Sequence, residues 1–395
     1  MKMRKSDFKI FDRNYIYLDS AASAQKPQEV LDRLMKFYQN EYANVHRGSC
    51  ELALGATKEY ETARQIVADF IHSDSKEIVF TKGSTEAINL VASSYAKTLK
   101  KGDEVLVCIA EHHANFVPWQ QACEQSGATF KTFDVLDDGT WNMKDFEKQL
   151  TKHTKIVAVA QLSNVLGIIN PVPKVVKLAH KMGAKVMLDV AQSIAHIPVD
   201  VKMLDCDFLA FSGHKIYGPN GIGVLYGKKT LLKELQPYQF GGDMVNTVRV
   251  EKTTFADIPG RFEAGTPPIT NAIGLAEALK YLLKIGWNKI QDEEQKTFSY
   301  LIDGLKQIEN IEFIGNPDLK TGLVAFNIKG IHPDDLNLIL AKENVCVRVG
   351  HHCAMPLHTR FGVKASLRIS LGLYNDKEDI KHFLKALNKA IGFFK

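Results

Sequence analysis

The sequence predicts an α/β fold, a mainly parallel sheet covered by helices, with a smaller α+β unit after it. Short runs of β-branched residues alternate with longer amphipathic stretches, which is the pattern of βα units stacked on a sheet buried on both faces. After residue 226 the chain becomes rich in Gly, Pro and Thr, and a new set of short strands follows. The 395 residues are enough for two units with separate cores.

The predicted elements fall into two groups along the chain. The first group has strands at 77–81, 104–109, 155–160, 185–189, 208–211 and 222–226 and helices at 85–99, 117–125 and 172–182. The second group has helices at 271–285 and 377–391 and strands at 323–328, 346–349 and 367–370. We therefore expect a large domain over 16–282 and a small domain formed by 1–15 and 283–395.

The composition argues against several classes of protein. The net charge of +5 is spread along the chain without a clustered basic stripe, so no nucleic-acid partner is expected. No stretch approaches the ~20 consecutive apolar residues that span a bilayer, and no signal-peptide pattern follows the basic N-terminus. The six cysteines include no Cys-x-x-Cys pair, which disfavours a zinc ribbon or a disulfide framework. We expect a cytoplasmic protein without a metal site or membrane contact.

Lys215 is a candidate for forming a Schiff base. It follows the predicted strand at 208–211 within the sequence Ser-Gly-His-Lys. Burial disfavours the ammonium form of a lysine, and a neutral amine can form an imine with an aldehyde. The alternative is an ammonium that simply reaches solvent, which is the commoner case for a lysine at an arbitrary strand end.

Asp189 ends a second apolar strand, and Gln192 follows three positions later. An aspartate at such a strand end could pair with the protonated pyridine nitrogen of pyridoxal phosphate. A helix N-cap is an alternative of similar weight. Because ligands bind at the carboxyl ends of strands in open α/β sheets, we expect Lys215 and Asp189 on either side of one flat ring.

A phosphate site is predicted at Ser84 and Thr85, between a strand and a helix. Backbone N–H groups and the helix dipole favour an anion at such a point, although a simple helix cap would also explain the pair. Ser212 and His214 can add donors from the loop that carries the lysine. His112, at the end of the strand at 104–109, could stack on a planar ring or be a loop histidine.

Cys353 is the candidate nucleophile. His351 and His352 precede it, and Arg348 and Arg360 are close to it in sequence, so we expect electropositive surroundings that favour the thiolate. A buried structural cysteine is one alternative. A metal site with the two histidines is disfavoured, because adjacent side chains in an extended segment point to opposite sides.

These motifs resemble those of one known family. The stretches Ser-Gly-His-Lys at 212–215, Leu-Asp-Val-Ala-Gln-Ser at 188–193 and Tyr-Gly-Pro-Asn-Gly-Ile-Gly at 217–223 resemble class V aminotransferases, which are fold-type I pyridoxal phosphate enzymes. The stretch Arg-Val-Gly-His-His-Cys-Ala-Met-Pro at 348–356 is similar to the signature of SUF-type cysteine desulfurases. The resemblance runs from Tyr-Leu-Asp-Ser-Ala-Ala at 17–22 to the final helix.

The resemblance implies a site for pyridoxal 5'-phosphate and assigns roles to its residues. Lys215 would hold the cofactor and, with Cys353 and His112, take part in catalysis. The other cofactor-binding residues would be Asp189, Gln192, His112, Ser84, Thr85, Ser212, His214 and, across a homodimer, Thr266. The substrate carboxylate would be bound by Arg368 and Asn164, with Arg348 nearby.

The implied activity is conversion of L-cysteine to L-alanine with formation of a persulfide on Cys353. The sulfur would pass to an acceptor protein for iron–sulfur cluster assembly. The short spacing from Cys353 to Arg368 resembles the SUF type and implies a docked acceptor, either SufE-like or SufU-like. Selenocysteine lyase activity, cysteine sulfinate desulfinase activity, another class V reaction and a catalytically inactive scaffold subunit are the alternatives.

Overall fold

The computed structural model describes residues 5–394. Its strands are β1 Ile16–Tyr17, β2 Ile78–Thr81, β3 Glu104–Cys108, β4 Thr129–Phe133, β5 Thr154–Ala160, β6 Lys185–Asp189, β7 Phe208–Ser212, β8 Gly223–Gly227, β9 Val245–Val248, β10 Thr253–Phe255, β11 Ile311–Phe313, β12 Leu323–Ile328, β13 Val345–Cys346, β14 Arg348–Gly350 and β15 Ser366–Ser370. Its α-helices are α1 Gln28–Asn40, α2 Glu51–Phe70, α3 Ser84–Ala96, α4 Val117–Ser126, α5 Met143–Gln149, α6 Val172–Lys181, α7 Val201–Leu204, α8 Lys229–Glu234, α9 Ile269–Ile285, α10 Trp287–Lys306, α11 Pro333–Lys342, α12 Met355–Arg360 and α13 Lys377–Gly392. Within the described range, no helix has the length and apolar character needed to cross a membrane.

A seven-stranded sheet in the order β2-β8-β7-β6-β5-β3-β4 forms the large unit. The strands from β7 to β4 in that order run parallel to one another, and β8 is antiparallel to both of its neighbours. Alternate residues of β6 enter different cores: Leu188 packs in one and Met187 in the other. Apolar packing on both faces is typical of a mainly parallel sheet, and the predicted fold class is confirmed.

A second sheet, antiparallel and in the order β11-β12-β15-β14, forms the smaller α+β unit. Its core includes Phe326 of β12, Ile369 of β15 and Phe383 of α13. The register of β14 and β15 places Arg348 directly opposite Arg368. This register brings two residues of the predicted substrate site onto one edge of the small sheet.

The N-terminal segment contacts both units. Phe8 and Phe11 belong to a core of the large unit, whereas Ile16 and Leu18 belong to the core of the small unit. β1 pairs in parallel with β13. The predicted domains, with 1–15 assigned to the small domain and a division between 282 and 283, stay a proposal.

Two predicted segments differ in detail from the structure. The strand predicted at 346–349 is divided into β13 and β14, because its two halves pair with different partners, β1 and β15. The Gly-, Pro- and Thr-rich passage after residue 226, where no strand was predicted before 323, contains the antiparallel hairpin of β9 and β10. The first difference arises because β1 is distant in sequence from β13. The second arises because the strands of the hairpin are short and have no apolar run that would identify them.

Candidate active site

A cavity of about 270 Å³ lies where the carboxyl ends of the parallel strands meet the small sheet. Its lining consists of Ala21, Ala22, Ser84, Thr85, His112, Asn164, Gln192, Ser212, His214, Lys215, Arg348, His352, Cys353 and Arg368. The cavity brings together every residue of the predicted site except Asp189 and Thr266.

Lys215 and Asp189 come from neighbouring strands of the large sheet. Lys215 ends the short turn after β7, and Asp189 is the last residue of β6, which pairs with β7. Burial lowers the pKa of Lys215, and the negative charge of Asp189 opposes that shift. Because a lowered pKa increases the fraction of neutral amine, Lys215 is suited to react with an aldehyde.

Asp189 combines a local turn contact with its position near Lys215. Its Oδ1 accepts a hydrogen bond from the Ala191 N–H at 2.8 Å. Burial raises the pKa of the Asp189 carboxyl, and Lys215 opposes the shift. Gln192, three residues further on, donates from Nε2 to the carbonyl of Ala21 at 2.8 Å. Asp189 is therefore not the N-cap of the short 3-10 helix that follows, whose N-cap is Gln192, and the turn contact uses only one of its two carboxylate oxygens.

The N-terminus of α3 forms a cradle of backbone and hydroxyl groups. The Ser84 N–H donates to Ser212 Oγ at 2.8 Å, and the Ser212 hydroxyl donates to Ser84 Oγ at 3.0 Å. A Cβ atom on Gly223 would lie only 2.4 Å from Gly83 Cα, so the turn is closely packed against β8. The dipole and free N–H groups of this 13-residue helix favour an anion at this point.

Burial lowers the pKa of two histidines in the cavity wall, His112 and His214, and so favours their neutral forms. Burial lowers the pKa of His112 to about 3, with a smaller contribution from Lys215. Its Nδ1 accepts a hydrogen bond from the Ala114 N–H at 3.0 Å, so Nε2 carries the proton. Burial lowers the pKa of His214 to about 4, again with a contribution from Lys215. A neutral imidazole at position 112 is compatible with stacking on an aromatic ring.

Cys353 is exposed at the tip of the segment between β14 and α12. It has a φ of +56°, and His352 before it has a φ of +49°, a conformation that costs roughly 1–2 kcal/mol for a residue with a Cβ atom. The Cys353 carbonyl accepts from the His113 N–H at 2.7 Å, and the His352 carbonyl accepts from Asn164 Nδ2 at 2.7 Å. These contacts hold the strained tip at the cavity, so Cys353 is not a buried structural cysteine.

The prediction that Arg360 contributes positive charge near Cys353 is wrong. Its Nε lies 3.0 Å from Asp134 Oδ2, and its Nη2 lies 2.8 Å from Asp137 Oδ1. These carboxylates neutralise Arg360 away from the cavity. The cations that interact electrostatically with Cys353 are Arg348, Arg368 and Lys215, and only the first was recognised as its neighbour from the sequence.

The side chains of His351 and His352, which precede Cys353, have different partners. The ring of His351 faces the ring of His113, with 5.8 Å between centroids. His352 Nε2 lies 3.1 Å from Ser366 Oγ instead. The two side chains point to different surroundings, and among residues 5–394 no group of three or more potential ligands is arranged to hold a metal ion.

Arg368 is 4% exposed and lines the cavity. Its Nη1 donates to the Asn164 carbonyl at 3.0 Å, and its Nη2 donates to Asp19 Oδ1 at 3.2 Å. Its Nε is buried and has no hydrogen-bond partner within the described residues. An unpaired guanidinium N–H at a cavity wall suits a carboxylate ligand, since guanidinium and carboxylate groups form charge-assisted hydrogen bonds.

Sequence reasoning missed the roles of Asp19 and Glu111. Asp19 binds both arginines of the cavity. Glu111 is 1% exposed, and its oxygens accept from Asn115 Nδ2 at 2.7 Å and from the Ala160 N–H at 2.9 Å. Burial raises the pKa of Glu111 to about 8. The available signal was position in the sequence. Asp19 lies inside the quoted stretch at 17–22, and Glu111 directly precedes His112.

Thr266 lies apart from the other predicted residues. It lines a second cavity of about 270 Å³ together with Lys82, Glu86 and Ala264. Within one chain it does not line the cavity that contains Lys215. Its contribution across a homodimer stays a prediction.

The groups around the cavity fit pyridoxal 5'-phosphate, which carries an aldehyde, a pyridine nitrogen and a phosphate. Lys215 supplies an amine whose pKa is lowered by burial, and Asp189 supplies a buried carboxylate. The N-terminus of α3 supplies the Ser84 hydroxyl and free N–H groups, and Ser212 at the end of β7 supplies a second hydroxyl, in agreement with an anion site. Each chemical function of the cofactor therefore has a complementary group at the carboxyl end of the sheet.

Comparison with known sequences gives consistent results along the whole chain. The sequence profile of the aminotransferase class-V family matches residues 16–383. A probable cysteine desulfurase of Halalkalibacterium halodurans is 46% identical over 381 residues, which is 96% of this chain and 94% of that protein. A cysteine desulfurase of Dickeya dadantii is 45% identical over 393 residues, which is 98% of this chain and 95% of that protein.

Comparison with solved structures also finds cysteine desulfurases. The cysteine desulfurase CsdA of Escherichia coli, in a form with S-sulfonic acid, has a TM-score of 0.93 and 37% identity, and the match covers 98% of both chains. The apo cysteine desulfurase of Thermococcus onnurineus has a TM-score of 0.95 and 38% identity, covering 98% of this chain and 97% of that one.

Proposed function

The chain belongs to the aminotransferase class-V family, and on that premise we propose that it is a cysteine desulfurase that converts L-cysteine to L-alanine with a persulfide on Cys353. Relatives named as desulfurases are 45% and 46% identical over nearly the whole chain. The observation that carries the proposal is one cavity lined by Lys215, Arg368 and an exposed Cys353. An amine, a carboxylate-binding cation and a thiol are the three groups that the reaction needs.

The cofactor is pyridoxal 5'-phosphate, which when bound supplies an electron sink for negative charge at the substrate Cα. Lys215 would hold it, Asp189 would pair with its pyridine nitrogen, and Gln192 and His112 would contact its ring. The phosphate would be held by Ser84, Thr85, Ser212 and His214, with Thr266 contributed across a homodimer.

Substrate binding begins at the carboxylate of L-cysteine. Arg368 and Asn164 bind it, with Arg348 nearby, because the Arg368 Nε–H is unpaired within the described residues and a buried guanidinium attracts a carboxylate. Lys215, as a neutral amine, then accepts the proton from Cα. The lowered pKa of Lys215 supports this role as a base.

Cys353 takes the sulfur from the substrate. Its thiolate, the nucleophilic form of a cysteine, attacks the sulfur atom of L-cysteine. A new S–S bond forms while the Cβ–S bond breaks, and its electron pair stays with Cβ. Cβ takes up a proton to become a methyl group, and Cα regains the proton that it lost, which gives L-alanine. The sum is one L-cysteine and one thiol giving one L-alanine and one persulfide, so no oxidant is consumed.

The persulfide sulfur then passes to a thiol of an acceptor protein, which can approach because Cys353 is exposed. We propose a SUF-type role in iron–sulfur cluster assembly, with a SufE-like or SufU-like acceptor. L-Selenocysteine is a second substrate under this proposal, since it offers the same carboxylate and amine and differs only in the chalcogen.

The assembly is proposed as a homodimer in the cytoplasm. Exposed apolar side chains on α1 and α2, including Met35, Tyr38 and Leu54, suit an interface between two copies. All six cysteines are free thiols, which suits a reducing compartment.

The test incubates the purified holoenzyme with L-cysteine and a reductant and measures L-alanine and sulfide, which should form in equal amounts. Cys353→Ser should retain the cofactor absorbance and lose both products, whereas Cys50→Ser, which changes another exposed cysteine, should retain them. Full turnover by Cys353→Ser would contradict the proposal. Release of L-alanine from cysteine sulfinate but not from L-cysteine would identify a desulfinase instead.

A further inference from the structure

Asp19 joins the small sheet to the active-site cavity. It follows β1 and is 7% exposed. Its backbone forms a bridge with Ser370, the last residue of β15, and the Ser370 N–H donates to the Leu18 carbonyl at 2.8 Å. The strand that carries Arg368 therefore also fixes the backbone of Asp19.

The carboxylate of Asp19 divides its two oxygens between two arginines. Oδ2 accepts from Nε and Nη2 of Arg348 at 3.0 and 2.8 Å. Oδ1 accepts from Nη2 of Arg368 at 3.2 Å. Arg348 and Arg368 are direct partners in the antiparallel ladder of β14 and β15, where like charges repel. Asp19 offsets a repulsion that the register of the small sheet creates.

The same contacts leave N–H donors of Arg368 available. Asn164 and Asp19 each accept from one of its terminal nitrogens, while its buried Nε has no partner in the range 5–394. Two guanidinium charges and one carboxylate charge leave a single positive charge, which one substrate carboxylate would balance. Because the guanidinium is already held by fixed acceptors, little side-chain freedom is lost when a ligand binds.

We propose that Asp19 is a positioning residue that gives the cavity its preference for ligands with a carboxylate. It does not contact the ligand; it acts by holding the guanidinium of Arg368 in one orientation. This inference rests on the proposed function and deepens it, since it identifies what prepares the arginines for an α-amino acid.

The experiment compares L-alanine with ethylamine, which is L-alanine without its carboxylate. Both are titrated against the holoenzyme, and the change in cofactor absorbance gives an apparent Kd that does not depend on turnover. Asp19→Asn keeps the shape of the side chain and removes its charge. We expect the Kd of L-alanine to rise about tenfold or more, while that of ethylamine changes by less than about twofold. Asp19→Asn weakens the hydrogen bond that orients Arg368, and only L-alanine has a carboxylate that Arg368 can bind. The KM for L-cysteine should rise more than kcat falls.

Asp137→Asn is the matched control. It also removes a carboxylate from an arginine, because Asp137 Oδ1 lies 2.8 Å from Arg360 Nη2, but it does so away from the cavity. It should leave both Kd values unchanged. Asp19→Glu, which keeps the charge, should retain the preference for L-alanine and serves as the test variant if Asp19→Asn does not bind the cofactor.

Equal weakening of both ligands in Asp19→Asn, or no weakening of either, would overturn the proposal. Loss of the preference in Asp19→Glu with an unchanged cofactor spectrum would show that charge at this position is not what matters. A wild-type protein that prefers L-alanine to ethylamine but makes no L-alanine from L-cysteine would contradict the proposed function and leave the role of Asp19 standing.

Discussion

His352 Nε2 lies 3.1 Å from Ser366 Oγ, directly behind the segment that carries Cys353. The same hydroxyl lies 3.0 Å from His358 Nε2, and His358 Nδ1 lies 3.0 Å from the Ala354 carbonyl. Since a carbonyl only accepts, His358 carries its proton on Nδ1 and accepts from the Ser366 hydroxyl at Nε2. Ser366 then accepts from His352 Nε2–H. This chain of hydrogen bonds fixes the residues on both sides of Cys353.

Ser366→Ala should slow persulfide formation without changing the cofactor absorbance. Ser366 is fully buried, and the substitution leaves His358 Nε2 without its partner, at a cost of about 1–3 kcal/mol, whereas His352 Nε2 keeps only the backbone carbonyl of residue 366 at 3.1 Å. The measurements are the Tm and the rate of persulfide formation on Cys353. Ser94→Ala is the control, because Ser94 is also buried and accepts from the Gln236 N–H at 2.8 Å. It should lower the Tm but not the rate, and an equal rate in the two variants would exclude a positioning role for Ser366.

Lys215→Ala should lose the absorbance band of covalently held cofactor. Removal of the amine also removes the base for the Cα proton, so L-alanine production should fall by at least about 100-fold. Lys229→Ala, at an exposed position after β8, should retain both properties. Persistence of the band in Lys215→Ala would assign the covalent link to another residue.

Gly223→Ala should weaken retention of the cofactor. A Cβ at this position would lie 2.4 Å from Gly83 Cα and 2.8 Å from the Phe211 carbonyl oxygen, so the backbone before α3 must move. Overpacking of this kind costs about 1–3 kcal/mol, and the cofactor content after dialysis measures its effect on the cradle.

The control for this change is Gly55→Ala in α2, where nothing lies within 4 Å of the new Cβ. It should keep the cofactor and stabilise the helix by up to about 1 kcal/mol. Equal cofactor content in the Gly55 and Gly223 variants would show that the close approach of β8 is unimportant for the cradle.

Lys320 should make stability depend on pH above neutrality. It is 6% exposed, and its Nζ donates to the carbonyls of Leu166 and Ile314 at 2.8 and 2.6 Å. Burial lowers its pKa from 10.5 to about 7. Between these values the unfolded chain binds more protons than the folded chain, so the free energy of unfolding rises with pH, by up to about 1.4 kcal/mol per unit.

The measurement is the Tm of wild type and Lys320→Met at about pH 7 and pH 9. The wild type should gain stability relative to Lys320→Met on going to the higher pH. Only the wild type has a buried ammonium at this position, and the higher pH removes its proton and its charge. Lys329→Met, at an exposed position, should follow the wild type. The same pH response in all three proteins would show that burial does not penalise the Lys320 charge.

Much of the fold was accessible from the sequence because strand patterns are local. The bounds predicted for β6 and β12, 185–189 and 323–328, agree with the structure. β4 was missed because Thr129–Phe133 contains only one buried residue, Phe133, and therefore lacks a continuous apolar run. An edge strand of this kind is defined by its pairing with β3 more than by its own composition.

The sequence by itself determined the chemical types at the site: a lysine and an aspartate at strand ends, a serine pair before a helix, and a cysteine after two histidines. Only the tertiary structure decided which charges meet. Asp19 binds Arg348 across 329 positions, and Arg360, seven positions from Cys353, pairs with acids elsewhere. Short-range patterns specify a residue's element, but its partners depend on strand register and packing between distant segments, and those contacts control the charge around Cys353 and Arg368.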